Sequence, residues 1–386
     1  MFKLITLIGL VLVEAFSTVM SGCSIESILK FKAAVYRLDA DLGEVHAQIK
    51  LARAYYNGNG VVQDRQKAVV WYRKAAEHGD AEAQNILGGM FYEGVGVGQD
   101  YKEAAKWFRK AAEQGVGKAQ FLLGSMYDNG EGVEHDIHEA VKWYIKAAEQ
   151  DIVDAQYFLG LMYYQGKDVE QDYKESFKWF RKAAEQGFAN AQNRLGLMYY
   201  RGEGIVQDNY EARKWFHKAG EQDFVEAQTF LGLMCYKGEG GAQDYKEAVT
   251  WFRRAGEKGL VDAQYLLGLM YYRGEGVAQD YKEAAKLFRK PAEEGLATAQ
   301  YLLGCMYYKG EADAQDYKEA AQWYRKAAEQ GYADAQNNLG CMYYKGEGVS
   351  QDRQEAEKWF RMAAEQGQDA AKKMLKELDG RKVSNP

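Results

Sequence analysis

Proline is nearly absent from this chain. Two occur in 386 residues, Pro291 and the terminal Pro386. Helices can therefore run without breakers almost everywhere, and only Pro291 interrupts a helical pattern. Cysteine is also scarce. Beyond Cys23 there are three, Cys235, Cys305 and Cys341, at apolar positions. An odd number so placed is not a disulfide framework, and the three read as small buried hydrophobes. An excess of positive charge is missing too. The net charge is −6, which excludes the clustered basic footprint of a nucleic-acid binder. No apolar run is long enough to span a membrane. Finally, no single nucleophile, base or metal set stands out as an active site.

What is present is periodic. From Asp64, aspartate recurs at 100, 136, 172, 208, 244, 280, 316 and 352, always 36 residues apart. Every tryptophan follows the same period: Trp71, Trp107, Trp143, Trp179, Trp215, Trp251, Trp323 and Trp359. Their expected role is structural. Leu287 fills the one gap. Methionine repeats as well, from Met90 to Met342. Self-similarity at this period signals a solenoid.

Each unit reads as two helices. In residues 260–295 helix A runs from about Val261 to Tyr272, with Ala263, Leu267, Met270 and Tyr271 on one face. Gly268 leaves room for a close neighbour. Gly274 and Gly276 permit left-handed backbone in the loop. Asp280 reads as the N-cap of helix B, and Glu283 would complete a capping box. Ala284, Phe288 and Ala292 face inward. Gly295 ends the unit, a place taken elsewhere by Asp151 and Asp223. Pro291 lies four residues after Leu287, and the expectation is a local bend or a frayed last turn.

The elements A-x-A-Q-x-x-L-G-x-M-Y, the Gly-x-Gly loop and D-Y-x-x-A-x-x-W-F-x-K-A-A-x-x-G resemble the Sel1-like repeat family, relatives of the tetratricopeptide repeat. The resemblance implies an all-α, right-handed α/α solenoid of nine 36-residue hairpins, working as a non-catalytic scaffold for protein–protein interaction. The expected boundaries are 1–23 for a signal peptide, 24–43 for an N-terminal capping helix, 44–367 for the repeats and 368–386 for a C-terminal capping helix and tail.

The first 23 residues read as an export signal, with Lys3, an apolar run from Leu4 to Val13, and small residues at Ser21 and Gly22. Their ending resembles a bacterial lipobox, which implies a lipid on Cys23 and membrane attachment through it. A conventional cleaved signal is the other reading, since Glu14 and Met20 depart from the pattern. The expected location is the periplasm or outer membrane, with secretion as an alternative.

Several local patterns have simpler explanations. Glycine loops that precede an aspartate-capped helix are poor phosphate cradles, because a carboxylate already occupies the helix N-terminus. The Asp280 and Glu283 pair recurs in other units, unlike one active site. His135 and His138 have metal-ligand spacing, yet fit a solvated helix start. Ser27 and Lys30 match S-x-x-K without the partner motifs of penicillin-recognising enzymes. No cofactor is implied. An envelope enzyme acting on peptidoglycan or β-lactams ranks as the rival class, and a secreted effector as a third.

The candidate site is the concave face expected of helix A, where residues 82, 85, 89, 92 and 93 and their equivalents would lie. There Tyr200, Tyr236, Tyr272, Tyr308 and Tyr344 form a row beside Arg201, Lys237, Arg273, Lys309 and Lys345. Tyrosine suits a binding hot spot, and the cations suit an acidic protein or peptide. The competing reading pairs each cation with the glutamate two residues on and packs the tyrosines between units.

Overall fold

Helix breakers are rare and each apolar stripe has a 3.6-residue period, so the chain folds into helices and packs their stripes together. The structure, a computed structural model, describes residues 24–166, 169–311 and 314–383. Every regular element among them is an α-helix. The first, Ile25–Asp41, packs on Val45–Asn57. Nine hairpins follow, from Val45–Asn57 with Arg65–Glu77 to Ala333–Lys345 with Arg353–Glu365, and Asp369–Val383 packs on the last. All eighteen hairpin helices are 13 residues long. The signal segment and Cys23 lie outside the described residues.

The helices group into two compact units, one ending at Phe188 and the next beginning at Ala189. Within each, a helix packs on its sequence neighbours, so the hairpins stack as a solenoid. The core of the first contains Leu87, Trp107, Phe108 and Leu123. In the second, Phe216, Phe252, Phe288 and Phe360 are fully buried. Gly268 is the device that admits the ring: a Cβ there would sit 2.7 Å from Phe288 Cε1. The close neighbour is thus the aromatic residue of the same hairpin.

Helix B starts where the aspartates predicted. Asp280 accepts from the Glu283 N–H, and the same cap forms at all nine aspartates. The reciprocal half of the capping box does not form. The Asp280 N–H donates to the Tyr271 carbonyl at 3.1 Å, and the Glu283 carboxylate pairs with Lys286. The last carbonyls of helix A need donors. A backbone bond supplies one without ordering a long side chain. Helix A ends on left-handed glycine, with φ 72° at Gly274 and again at Gly276. Asp151 and Asp223 take the left-handed positions expected of them, at φ 60° and 63°.

Pro291 does not fray its helix. Tyr281–Glu293 is continuous over the same length as its equivalents, and Glu294 closes it with bonds to Ala292 and Lys290. Pro291 removes only its own bond to the Leu287 carbonyl. The turn beyond is held by Leu296, whose N–H donates to the Pro291 carbonyl at 2.9 Å.

Candidate functional site

Lys30 pairs with Glu26 at 2.7 Å, and Ser27 bonds Ser24, so the S-x-x-K residues do not form a reactive couple. His135 and His138 are exposed at a helix start. No group of three His, Cys, Asp or Glu that could hold a metal is found among the described residues. Burial pushes the Cys235 thiol up to about 12, so it is protonated and inert at neutral pH.

All tryptophans but the partly buried Trp143 are buried. In seven repeats a cation three residues on lies over the ring, from Lys74 on Trp71 at 4.0 Å to Lys182 on Trp179 at 4.9 Å. Lys290, with Leu287 in place of a ring, turns to Glu294 instead.

The tyrosine and basic rows do come together, at the last two positions of each helix A, and they are joined by glutamates. Tyr236 donates to Glu275 of the next repeat at 2.9 Å, and Tyr308 to Glu347 at 2.8 Å. The Glu239 carboxylate bonds the Tyr200 hydroxyl and raises its pKa, as does burial. Tyr236, Tyr272 and Tyr308 also pack on Tyr245, Tyr281 and Tyr317 of their own hairpins, at 5.1–5.4 Å between ring centres. Tyr344 is partly buried against the cluster formed by Arg353–Glu365 and Asp369–Val383. Each cation meets the glutamate two residues on: Arg201 with Glu203 at 3.8 Å, Lys237 with Glu239 at 3.6 Å, Arg273 with Glu275 at 3.8 Å, Lys309 with Glu311 at 3.3 Å and Lys345 with Glu347 at 3.6 Å. Arg273 also donates to the Tyr236 hydroxyl at 3.0 Å. The row is therefore a mesh linking successive repeats, and its field toward a partner is largely neutralised.

A more open feature lies nearer the middle of the same helices. In the second unit, Val225–Lys237 and Val261–Arg273 flank a groove of about 520 Å³. Phe230, Leu233, Leu260, Leu266 and Leu296 make it apolar, with Tyr265 and Thr229 alongside. Residues 226, 229, 233, 262 and 265, all of which line the groove, fall at positions assigned to the site by counting along helix A. The flanking Phe230 and Leu266 were missed. Their signal was available: a large apolar residue at both, next to a position already counted as surface.

Sequence reasoning also missed a glutamine ladder. The Gln of A-x-A-Q is buried in helix A. Gln300 donates to the Ala292 carbonyl of the preceding helix B at 2.8 Å and accepts from Gln330 at 2.8 Å. Gln84, Gln120, Gln156 and Gln336 repeat both bonds. Each such residue ties one repeat to the next through a helix-terminal carbonyl.

The Sel1 repeat family profile matches residues 45–80, 81–116, 117–152, 153–188, 189–224, 225–260, 261–296, 297–332 and 333–368. Among solved structures, the chain is similar to c5321 of uropathogenic Escherichia coli, a protective antigen with an SLR fold. Identity is 42%, coverage is 89% of this chain and 74% of that one, and the TM-score is 0.79. A Sel1 repeat protein from Oxalobacter formigenes is 38% identical, with coverage of 80% and 89% and a TM-score of 0.58. No curated protein matches. Sel1 repeat proteins are in general scaffolds for protein–protein interaction. Nine tandem matches, in register with the nine hairpins, show that this chain belongs to the Sel1 repeat family.

Proposed function

We propose that this protein is a non-catalytic adaptor of the bacterial cell envelope that binds a protein or peptide on the helix-A face. The apolar groove between Val225–Lys237 and Val261–Arg273 carries the reading. Partly buried Phe230, Leu233 and Leu266 line an open surface there, and such a surface is a contact site in search of a partner. The mesh from Tyr200 and Arg201 through Tyr344 and Lys345 lies at the far ends of the same helices, its cations paired with glutamates, and adds polar contacts beside the apolar groove.

The test is crosslinking in the native cell. With p-benzoylphenylalanine in place of Thr229, in the groove, irradiation should yield a discrete adduct with another protein. The same residue in place of Thr250, exposed on helix B, should yield none. Adducts from position 250 alone, or from neither, would overturn the helix-A assignment.

Export rests on the charged start, apolar run and small residues of the first 23 residues, and on the similarity to a protective antigen of a bacterial pathogen. We assign the lipid to Cys23. Cys23→Ser is expected to abolish labelling by an alkyne fatty-acid analogue. Continued labelling of that variant rules Cys23 out.

A further inference from the structure

The groove carries information about its occupant, on the reading that the helix-A face binds a partner. Two ionisable side chains line it, Glu226 and Asp262. They occupy equivalent positions in successive repeats, 36 residues apart. Both are exposed, and neither makes an ion pair among the described residues. This sets them apart from the cations at the far ends of the same helices, since Lys237 and Arg273 already face Glu239 and Glu275.

Each acid lies in the first turn of its helix, where the helix dipole favours a carboxylate. That preference does not dictate the residue, because Lys118 and Thr298 hold the same position in other repeats. The groove therefore joins an apolar floor to one unneutralised acidic rim. Charge complementarity asks for cations on the occupant, and the floor asks for apolar side chains beside them.

We infer that this groove takes a polypeptide segment that is both apolar and cationic, with Lys or Arg meeting Glu226 and Asp262 while aliphatic or aromatic side chains enter between Phe230, Leu233 and Leu266. An acidic peptide, the partner first suggested by the basic row, is disfavoured at this place.

Fluorescence anisotropy on the full chain tests this with three labelled decapeptides: one built of Leu and Lys, one with Glu for Lys, and one with Ser for Leu. The Leu/Lys peptide should bind at least about tenfold more tightly than either control, the scale of two partly exposed ion pairs or a lost apolar contact. Glu226→Lys combined with Asp262→Lys should reverse the preference in favour of the Leu/Glu peptide. Leu233→Glu should abolish binding of the Leu/Lys peptide, and Thr250→Glu should leave it unchanged. Circular dichroism of each variant checks that the helices are kept.

Unchanged preference in the double charge reversal overturns the inference, as does undiminished binding to Leu233→Glu. Two further results also overturn it by naming another occupant. One is a concentration-dependent dimer lost in Leu233→Glu, which points to a second copy. The other is peptide binding that appears only after residues 1–23 are removed, which points to the chain's own N-terminal segment. Crosslinks from position 229 in cells, combined with a preference for the Leu/Glu peptide, would refute the cationic partner and leave the helix-A adaptor standing. Absent crosslinks with intact Leu/Lys selectivity would do the reverse.

Discussion

Gln300→Leu is expected to destabilise the second unit by about 2 kcal/mol, through groups left unpaired in the interior. The side chain is 4% exposed, so water cannot replace it without opening the helix contact. The Gln330 amide, itself exposed, loses its acceptor at 2.8 Å and keeps only the Lys326 carbonyl at 3.5 Å. The Ala292 carbonyl loses a donor at 2.8 Å but keeps the Gly295 N–H at 3.2 Å. That retained bond places the estimate in the middle of the range rather than at its top. Leucine adds little in return, because the cavity is shaped for an amide and lined by polar partners.

Chemical unfolding gives the total loss, and hydrogen exchange locates it. Amides of Tyr281–Glu293 and Tyr317–Glu329 should exchange faster than those of the first unit. Gln330→Ala supplies the second edge of a double-mutant cycle, with an expected coupling of at least about 0.5 kcal/mol. Additive losses would show that the two amides stabilise their helices separately. The chain contains a natural comparison. Lys258 stands where a partner glutamine would meet Gln228 and turns to Asp223 at 3.2 Å instead. The Gln228 Oε1 is left buried without a partner among the described residues.

Gly268→Ala should also destabilise, although helix propensity argues for the opposite sign. Alanine in place of glycine inside a helix gains about 1 kcal/mol at most. The added methyl, however, would sit 2.7 Å from Phe288 Cε1 and 3.3 Å from Leu287 Cβ. Phe288 is fully buried and cannot swing away as a surface side chain could. Overpacking of this kind costs about 1–3 kcal/mol, so the net effect is a loss of up to about 2 kcal/mol.

A fall in the midpoint of urea unfolding, at unchanged slope, is the measurement. Gly89, the next residue after Gly88 in an earlier repeat, is the control. A Cβ there meets nothing within 4 Å, so Gly89→Ala should stabilise. If both substitutions stabilise, the close approach at Gly268 does not limit packing. Phe288→Leu in the Gly268→Ala background should cost less than the two separate losses added together, because the smaller side chain clears the methyl.

Much of the architecture was legible because its determinants are local. A cap such as Asp280 acts within three residues, a stripe such as Ala284, Phe288 and Ala292 within two turns, and a left-handed glycine such as Gly274 on its own backbone. Repetition then multiplied weak signals into a firm period. Errors arose where a group had a choice of partners. Glu283 could reach back to the helix start, but a carbonyl nine residues before Asp280 had the better claim on the N–H. Pro291 could fray a helix, but its missing bond falls in the last turns, and the chain beyond is anchored through the proline's own carbonyl.

The amino-acid sequence by itself determined the period, the two helices of each repeat, their ends, their inward faces and the family. These depend on spacings of ten residues or fewer, or on a spacing that recurs. Only the tertiary structure decided which face residues are spent in packing and which remain open. Tyr236 and Tyr308 differ little in sequence context from any exposed tyrosine. Their hydroxyls are nevertheless taken by glutamates 39 residues away. The groove likewise exists only because helices 36 residues apart in sequence lie side by side, so that Glu226 and Asp262 border a common apolar floor. Side-chain patterning sets what a helix can bury. The neighbour that arrives sets what it does bury, and the part left uncovered is where a partner can bind.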